Sequence, residues 1–360
     1  MMRWADYCGE RRFQITERLQ KEFADKIAEC GSVSDDSTWA LTQVREFALG
    51  GKMLRGMLAC LSYEMFAGPA VSELRGEVGP GASHTDPIRL ATALELIQAG
   101  LLVHDDIMDR DEIRRGKPTL HKAFGRRNNS DKIGEAQAIC AGDICYFISI
   151  KELTEINPKI GDLFARELTK VCLAQMQDIK VGESAVNPSL DEILSMYKYK
   201  TGRYTIVLPL QAGAIAAGRE DALPFLEAVG ENAGILFQIQ DDRLGLFGDA
   251  NQLGKPVGSD IREGKKTPYV LYLLDALSEA EKKDFLAILG KRDLSVAEIE
   301  RVRTLTVKYG IDQKVYDLAC HYEMMAQNAL STLSKKLPGV DAEKLDLLKQ
   351  FIDSSLSRTK

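Results

Sequence analysis

Apolar residues in this chain recur at helical spacing almost from end to end, and nowhere do β-branched residues alternate for long enough to build a core strand. From Ile88 onward, Leu90, Leu94, Ile97 and Leu101 follow one another at steps of four, three and four, which is one face of an α-helix. Asp86 and Pro87 just before them make an N-cap and first-turn pair. The same period runs through about 38–66, 132–156, 159–181, 190–217, 222–247, 267–289 and 313–337. The expected fold class is all-α, with residues 1–360 forming a single large helical domain. The longest break, 68–87, is rich in glycine and proline and reads as a mobile surface loop. Shorter breaks fall near 116–130, 182–189 and 248–266, and no repeat period supports a solenoid.

Composition narrows the function classes. With 47 Lys+Arg against 53 Asp+Glu, the net charge of −6 offers no global attraction to nucleic acid or anionic lipid. No uninterrupted apolar run reaches the roughly 18 residues of a transmembrane span, and the charged N-terminus has no apolar signal-peptide core. Seven cysteines are scattered without a CxxC pair or a Cys/His cluster, so a disulfide framework or zinc site is not expected and a cytoplasmic location is.

Two segments carry chemistry. In LLVHDDIMDRDEIRRGKPTLH, stepping by fours from Leu101 along the helix gives Asp105 and then Asp109, with Asp106 beside them. Carboxylates thus continue an apolar face; a solvated acidic helix end is the alternative. Acids at a helix C-terminus are electrostatically disfavoured and call for a compensating cation. In FQIQDDRLGLFGDANQLGKPVGSDIREGKKT, Asp241 and Asp242 end a second apolar helix, one turn after Gln238. Two carboxylates about 4 Å apart repel by about 1 kcal/mol in water and by several times more in a drier pocket. Oxygen-only ligands suit magnesium, which keeps waters and shares substrate phosphates. Arg114, Arg115, Lys255 and Lys265 beside the acids point to a ligand more negative than the metal cancels, such as a diphosphate. Two weaker motifs are GGKMLRG, where Lys52 and Arg55 are three apart and would share a helix face, and YKTGRY, where Lys200 and Thr201 interrupt an apolar helix.

In this order (GGKxxR, DDxxD with RRGxPTxH, KTG, then FQxxDD with GK, GSD and EGKKT) the motifs from Gly50 to Thr267 resemble the trans-isoprenyl diphosphate synthases, the polyprenyl synthetase family, and most of all its geranylgeranyl-type members. The resemblance implies an isoprenoid synthase-type helical bundle with a central active-site cavity. It implies condensation of isopentenyl diphosphate with dimethylallyl, geranyl or farnesyl diphosphate through an allylic carbocation. About three Mg2+ ions per site would be held by Asp105, Asp106, Asp109, Asp241 and Asp242. Arg114, Lys200, Lys255 and Lys265 would bind the allylic diphosphate, and Gly51, Lys52, Arg55, Gln98 and Arg115 the isopentenyl diphosphate. The Lys200 carbonyl, Thr201 and Gln238 would face the developing positive charge, and released diphosphate would accept the proton. His104 and His121 would be structural. A homodimer is implied. The tail SLSRTK, with Arg358 and Lys360, resembles basic tails that fold over the homoallylic substrate, a frayed terminus being the alternative.

Many relatives carry a third aspartate where Gly245 stands here; archaeal and bacterial geranylgeranyl-type enzymes often share the glycine, and Asp260 could supply charge nearby. Product length follows from the residues one and two turns before the first motif. Gly100 lies five residues before Asp105, about 7 to 8 Å along the helix axis. Gly100 and Leu101 stand where eukaryotic farnesyl-specific enzymes place aromatics, so nothing large is expected to close the tunnel there; Ile97, or Tyr146 and Phe147, would form its floor, plain core packing being the alternative for Tyr146 and Phe147. The expected product is geranylgeranyl diphosphate, with farnesyl or longer chains as alternatives. A non-catalytic regulatory subunit would have lost acids or bases that this chain keeps. A terpene cyclase would lack GGKxxR and the second DD.

Overall fold

The computed structural model describes residues 2–67, 86–182, 184, 186–248 and 257–357. The loop expected at 68–87 (save its last two residues), Lys255, and the tail residues Arg358 and Lys360 lie outside the described residues.

The described chain is helical: α1 Trp4–Cys30, α2 Ser37–Leu49, α3 Leu54–Ala67, α4 Pro87–Met108, α5 Leu120–Asn128, α6 Asp131–Ile156, α7 Pro158–Gly182, α8 Leu190–Tyr197, a π-helix Lys198–Val207, α9 Leu208–Ala216, α10 Leu223–Phe247, α11 Ser259–Arg262, α12 Pro268–Ala276, α13 Glu279–Ile288, α14 Val296–Lys308, α15 Ile311–Lys336 and α16 Ala342–Leu356. Among the described residues the only strands are β1 Ile113–Arg114 and β2 Lys117–Pro118, an antiparallel hairpin. The fold is all-α, as the periodicity predicts.

Local chemistry sets the boundaries. Asp86 accepts a hydrogen bond from Ile88 N with Pro87 at the first helical position. Capping boxes at Ser189/Glu192, Ser278/Glu281 and Ser295/Glu298 start α8, α13 and α14. The Ser278 box also splits the helix expected over 267–289. The one expected over 38–66 breaks at 50–53, where Met53 takes a left-handed φ of 59°. The break expected at 116–130 contains α5. The 27-residue α1 has no counterpart among the expected helices: its apolar stripe of Tyr7, Ile15, Leu19 and Phe23 is sparse among charges.

The chain groups into two compact units, Met1–Ala165 with Leu208–Leu223 and Ser334–Gln350, and Arg166–Val207 with Pro224–Leu333 and Phe351–Lys360. In the first, Leu19, Phe23, Val44, Met57, Leu96, Val103, Phe124 and Cys145 belong to one buried cluster drawn from α1 to α6. In the second, Leu226, Val229 and Leu236 of α10, Tyr269 and Val270 of α12, Phe285 of α13 and Val302 of α14 are buried. By length and composition α6 could cross a bilayer, yet its Ala138, Ala141, Cys145 and Ile148 join the buried cluster, as in a core helix.

Candidate active site

In the first unit, α4 is buried on nearly every side from Leu90 to Ile97, which makes a single stripe a poor guide to its inward face. The deepest carboxylate is Asp106, 1% exposed, on the line Ala99–Val103–Asp106; Asp105 and Asp109, expected to face the core, are half-buried. The helix ends in a Schellman arrangement. Asp111 N donates to Asp106 O at 2.9 Å and Arg110 N to Ile107 O at 3.3 Å, with Arg110 left-handed at φ 57°.

The compensating cation that these acids require is Arg114. Its Nε donates to Asp106 Oδ1, and its Nη2 lies 3.4 Å from Asp111 Oδ2 and 3.9 Å from Asp105 Oδ2. The hairpin β1–β2 presents it. Arg115 and Gly116 both have positive φ, 54° and 73°, as a type I′ turn requires.

Arg115, from the tip of that turn, goes elsewhere. Its Nη1 donates to Phe47 O at 3.0 Å and its guanidinium lies 5.7 Å from the Phe47 ring centroid. A Cβ built on Gly50 would be 3.2 Å from Arg115 Nη1, and one on Gly51 3.6 Å from Arg115 Nη2, so the paired glycines admit the guanidinium. Lys52 is exposed and precedes α3, which starts at Leu54, so Lys52 and Arg55 do not share a helix face as expected. Beneath them lies Glu95, which sequence reasoning missed. It is buried, accepts from Gly56 N at 2.8 Å, and is raised from the ordinary carboxyl range by burial, against the pull of Arg55 and Arg115. Its signal was a lone acid inside the apolar run LATALELIQ. One turn on, Gln98 carries a buried Oε1 without a hydrogen-bond partner.

In the second unit, Thr201 Oγ1 donates to Gln238 Oε1 at 2.7 Å, Gln238 Nε2 donates to Asp242 Oδ1 at 2.9 Å, and the buried Tyr197 hydroxyl donates to Asp242 Oδ2. Lys200 is ion-paired with Asp178 of α7 and Lys265 with Glu263 at 2.5 Å. Tyr197 and Asp178 gave no sequence signal, because their partners sit 45 and 22 residues away. Asp242 is buried and Asp241 half-buried. A Cβ built on Gly245 would come within 2.9 Å of Asp260 Oδ2. Asp260 thus brings a carboxylate to the place where a third aspartate of the motif would begin. Both fall in a small cavity lined also by Asp242, Thr267 and Tyr269.

The donor chemistry fits a hard divalent cation. Asp106 Oδ2 is buried without a hydrogen-bond partner, and burial pushes that carboxyl up to about 7 despite Arg114. Burial, with Asp260 adding to it, also pushes Asp242 well up. Each is a buried carboxyl whose charged form burial disfavours and a bound cation would restore. No group of three His, Cys, Asp or Glu residues is gathered as a ready metal cage among the described residues. Magnesium often makes do with one or two carboxylates plus waters and phosphate oxygens.

Around Gly100 the structure corrects an expectation. A Cβ there would meet Tyr146 Cε1 at 2.7 Å and Gly142 O at 2.9 Å, so an aromatic ring from α6 already covers this level. Ile97 is buried and Leu101 half-buried. Phe147, expected as a floor or core residue, is 70% exposed. His104 has a packing role, its Nε2 3.1 Å from Ile139 O and its ring edge-on to Tyr146.

Residues 38–306 match the polyprenyl synthetase family model. A short-chain isoprenyl diphosphate synthase of Methanocaldococcus jannaschii is 36% identical over 293 residues, 80% of this chain and 79% of that protein. A geranylgeranyl diphosphate synthase of Sulfolobus acidocaldarius is 34% identical over 303 residues, 81% of this chain and 84% of that one. A geranylgeranyl pyrophosphate synthase of Corynebacterium glutamicum, solved with isoprenyl diphosphate and magnesium, superposes with a TM-score of 0.85 at 29% identity, over 97% of this chain and 99% of that chain. The chain belongs to the polyprenyl synthetase family of prenyltransferases.

Proposed function

We propose that this prenyltransferase condenses isopentenyl diphosphate with allylic diphosphates, that magnesium is its metal, and that geranylgeranyl diphosphate is its main product. The observation that carries the reading is the unpartnered Asp106 Oδ2, buried at the end of an apolar helix, while the other carboxylate oxygen meets Arg114, an arginine suited to an anion.

Asp105, Asp106, Asp109, Asp241 and Asp242 are the proposed magnesium ligands. When bound there, the metal would supply positive charge that offsets the charge developing on the diphosphate, which leaves with the bonding electron pair. Arg114, Lys200, Lys255 and Lys265 bind the same anion through charge-assisted hydrogen bonds. The Lys200 carbonyl and the Thr201–Gln238 pair turn oxygen dipoles toward the allylic cation, a preorganised stabilisation. Gly51, Lys52, Arg55, Gln98 and Arg115 hold isopentenyl diphosphate, whose double bond supplies the electrons of the new carbon–carbon bond. Released diphosphate takes the proton. Apolar walls keep water from the cation.

Diphosphate release tests the reading against a cyclase. Release is expected with both substrates present and not with the allylic diphosphate alone; release from the allylic diphosphate alone would favour cyclisation. Arg115→Ala is expected to raise KM for isopentenyl diphosphate by about 10- to 100-fold, the loss of a hydrogen bond to a charged group, and to leave KM for the allylic substrate within about twofold. Steady-state kinetics with each substrate varied in turn checks this.

A second copy of the chain is the proposed partner. On α6, Ile139, Phe147 and Ile150 are 47, 70 and 56% exposed, on a long core helix whose other face is packed. Large apolar side chains left exposed on one helix in this way suit an association surface. Sedimentation is expected to give a dimer, and Phe147→Glu with Ile150→Glu a folded monomer. An unchanged assembly in the double variant would remove this face from the interface.

A further inference from the structure

One buried arginine ties the segment that carries Lys200 and Thr201 to two other helices. Lys198–Val207 is ten residues of π-helix, whereas π turns occur mostly as single-turn bulges, frequently at functional sites. Intrinsic propensity does not favour so long a run, so contacts with neighbours must hold it.

Against α10 those contacts run antiparallel. Tyr197 reaches Asp242, Thr201 reaches Gln238, and Arg203 Nη1 reaches Glu231 and, at 2.6 Å, Glu227 Oε1. Between them the backbones close up. A Cβ built on Gly234 would sit 2.1 Å from the Cα of Gly202, and one on Gly230 2.9 Å from the Val207 backbone.

Arg203 also reaches α7. Its Nε and Nη2 donate to Glu167 Oε2 at 2.6 Å and Oε1 at 3.0 Å, a two-bond fork. The arginine side chain is 7% exposed and that of Glu167 4%. Lys170 lies 2.8 Å from Glu167 and Lys198 2.7 Å from Glu231, which completes an alternating network of charge. Were the wide turns to rewind as α-helix, each residue taken up would rotate the chain by about 100°, since an α-turn holds 3.6 residues. Thr201 would then lose Gln238.

We propose that Arg203 is a positioning residue that clamps the π-helix between α7 and α10 and thereby keeps the Thr201 hydroxyl on Gln238 during prenyl transfer. The proposal rests on the reading that Thr201 and Gln238 face the reacting carbon. Buried ion pairs add little net stability over an apolar replacement, so this network is better understood as fixing one register. Lysine cannot substitute: a single ammonium lacks the planar fork that spans Glu167, Glu227 and Glu231 together.

The test compares the unmodified chain with Arg203→Lys, and with Glu167→Gln as a milder break of the same fork. Melting temperature, segment-resolved hydrogen exchange and kinetics with each substrate are read. Faster exchange confined to 198–207 is expected, with kcat lowered about tenfold or more, as small misplacements of reacting groups do, and KM for isopentenyl diphosphate within about twofold. Unchanged kcat in both variants would overturn the proposal, as would losses that merely follow a general fall in melting temperature and protection. Should the unmodified chain fail to couple the two substrates, the proposed function falls, and unchanged exchange over 198–207 would separately overturn the clamp.

Discussion

Asp106→Asn is expected to lower kcat at least about a hundredfold, the scale on which a lost electrostatic contact in the transition state is felt, and to raise the magnesium concentration needed for half-maximal rate. The amide keeps the volume of the carboxyl and can still accept from Arg114 Nε. It loses the charge that a cation would meet at Oδ2, the oxygen with no hydrogen-bond partner. Removing one member of a buried ion pair can cost about 3–5 kcal/mol of stability. Circular dichroism and melting therefore accompany the magnesium titration. Arg114 keeps Asp111 at 3.4 Å, which favours a folded variant. Wild-type kcat at wild-type magnesium would remove Asp106 from the metal site.

Tyr146→Ala is expected to shift the main product from geranylgeranyl diphosphate to chains at least one isoprene unit longer, and Gly100→Phe to shift it the other way. The ring of Tyr146 fills the space that the absent side chain of Gly100 leaves, so the two positions act as one obstruction. Deleting the ring opens that space; a side chain added at Gly100 would start 2.7 Å from Tyr146 Cε1 and 2.9 Å from Gly142 O, so a second ring leaves less of it. Product chain length by mass spectrometry reads both variants. Identical distributions in all three chains would place the floor elsewhere, with Ile97 the next position to alter.

How far the site was legible in the sequence depended on distance along the chain. Asp105, Asp106, Arg114 and Arg115 lie within eleven residues, and a helix end followed by a tight hairpin brings three of them together. The choice of Asp106 over Asp105 as the deepest acid was not legible. α4 is surrounded by apolar neighbours, and its periodicity does not name an inward face. The Lys52–Arg55 expectation failed because Gly50 and Gly51 end α2 and a left-handed Met53 precedes α3. The π-helix had no pattern of its own. It is a product of Gly230, Gly234 and the carboxylates around Arg203, all remote in sequence. Tyr146 was legible as a candidate floor, and Phe147 was not separable from it, since adjacent residues on a helix differ by about 100° and only the packing of α6 decides which faces inward.

The most direct test of the account is incubation of the purified chain with isopentenyl diphosphate and each of dimethylallyl, geranyl and farnesyl diphosphate. Each reaction is run with magnesium and with a chelator, and product chain length is measured. Magnesium-dependent geranylgeranyl diphosphate from every starter is the predicted result. Condensation that persists in chelator, or no condensation with any starter, would contradict it.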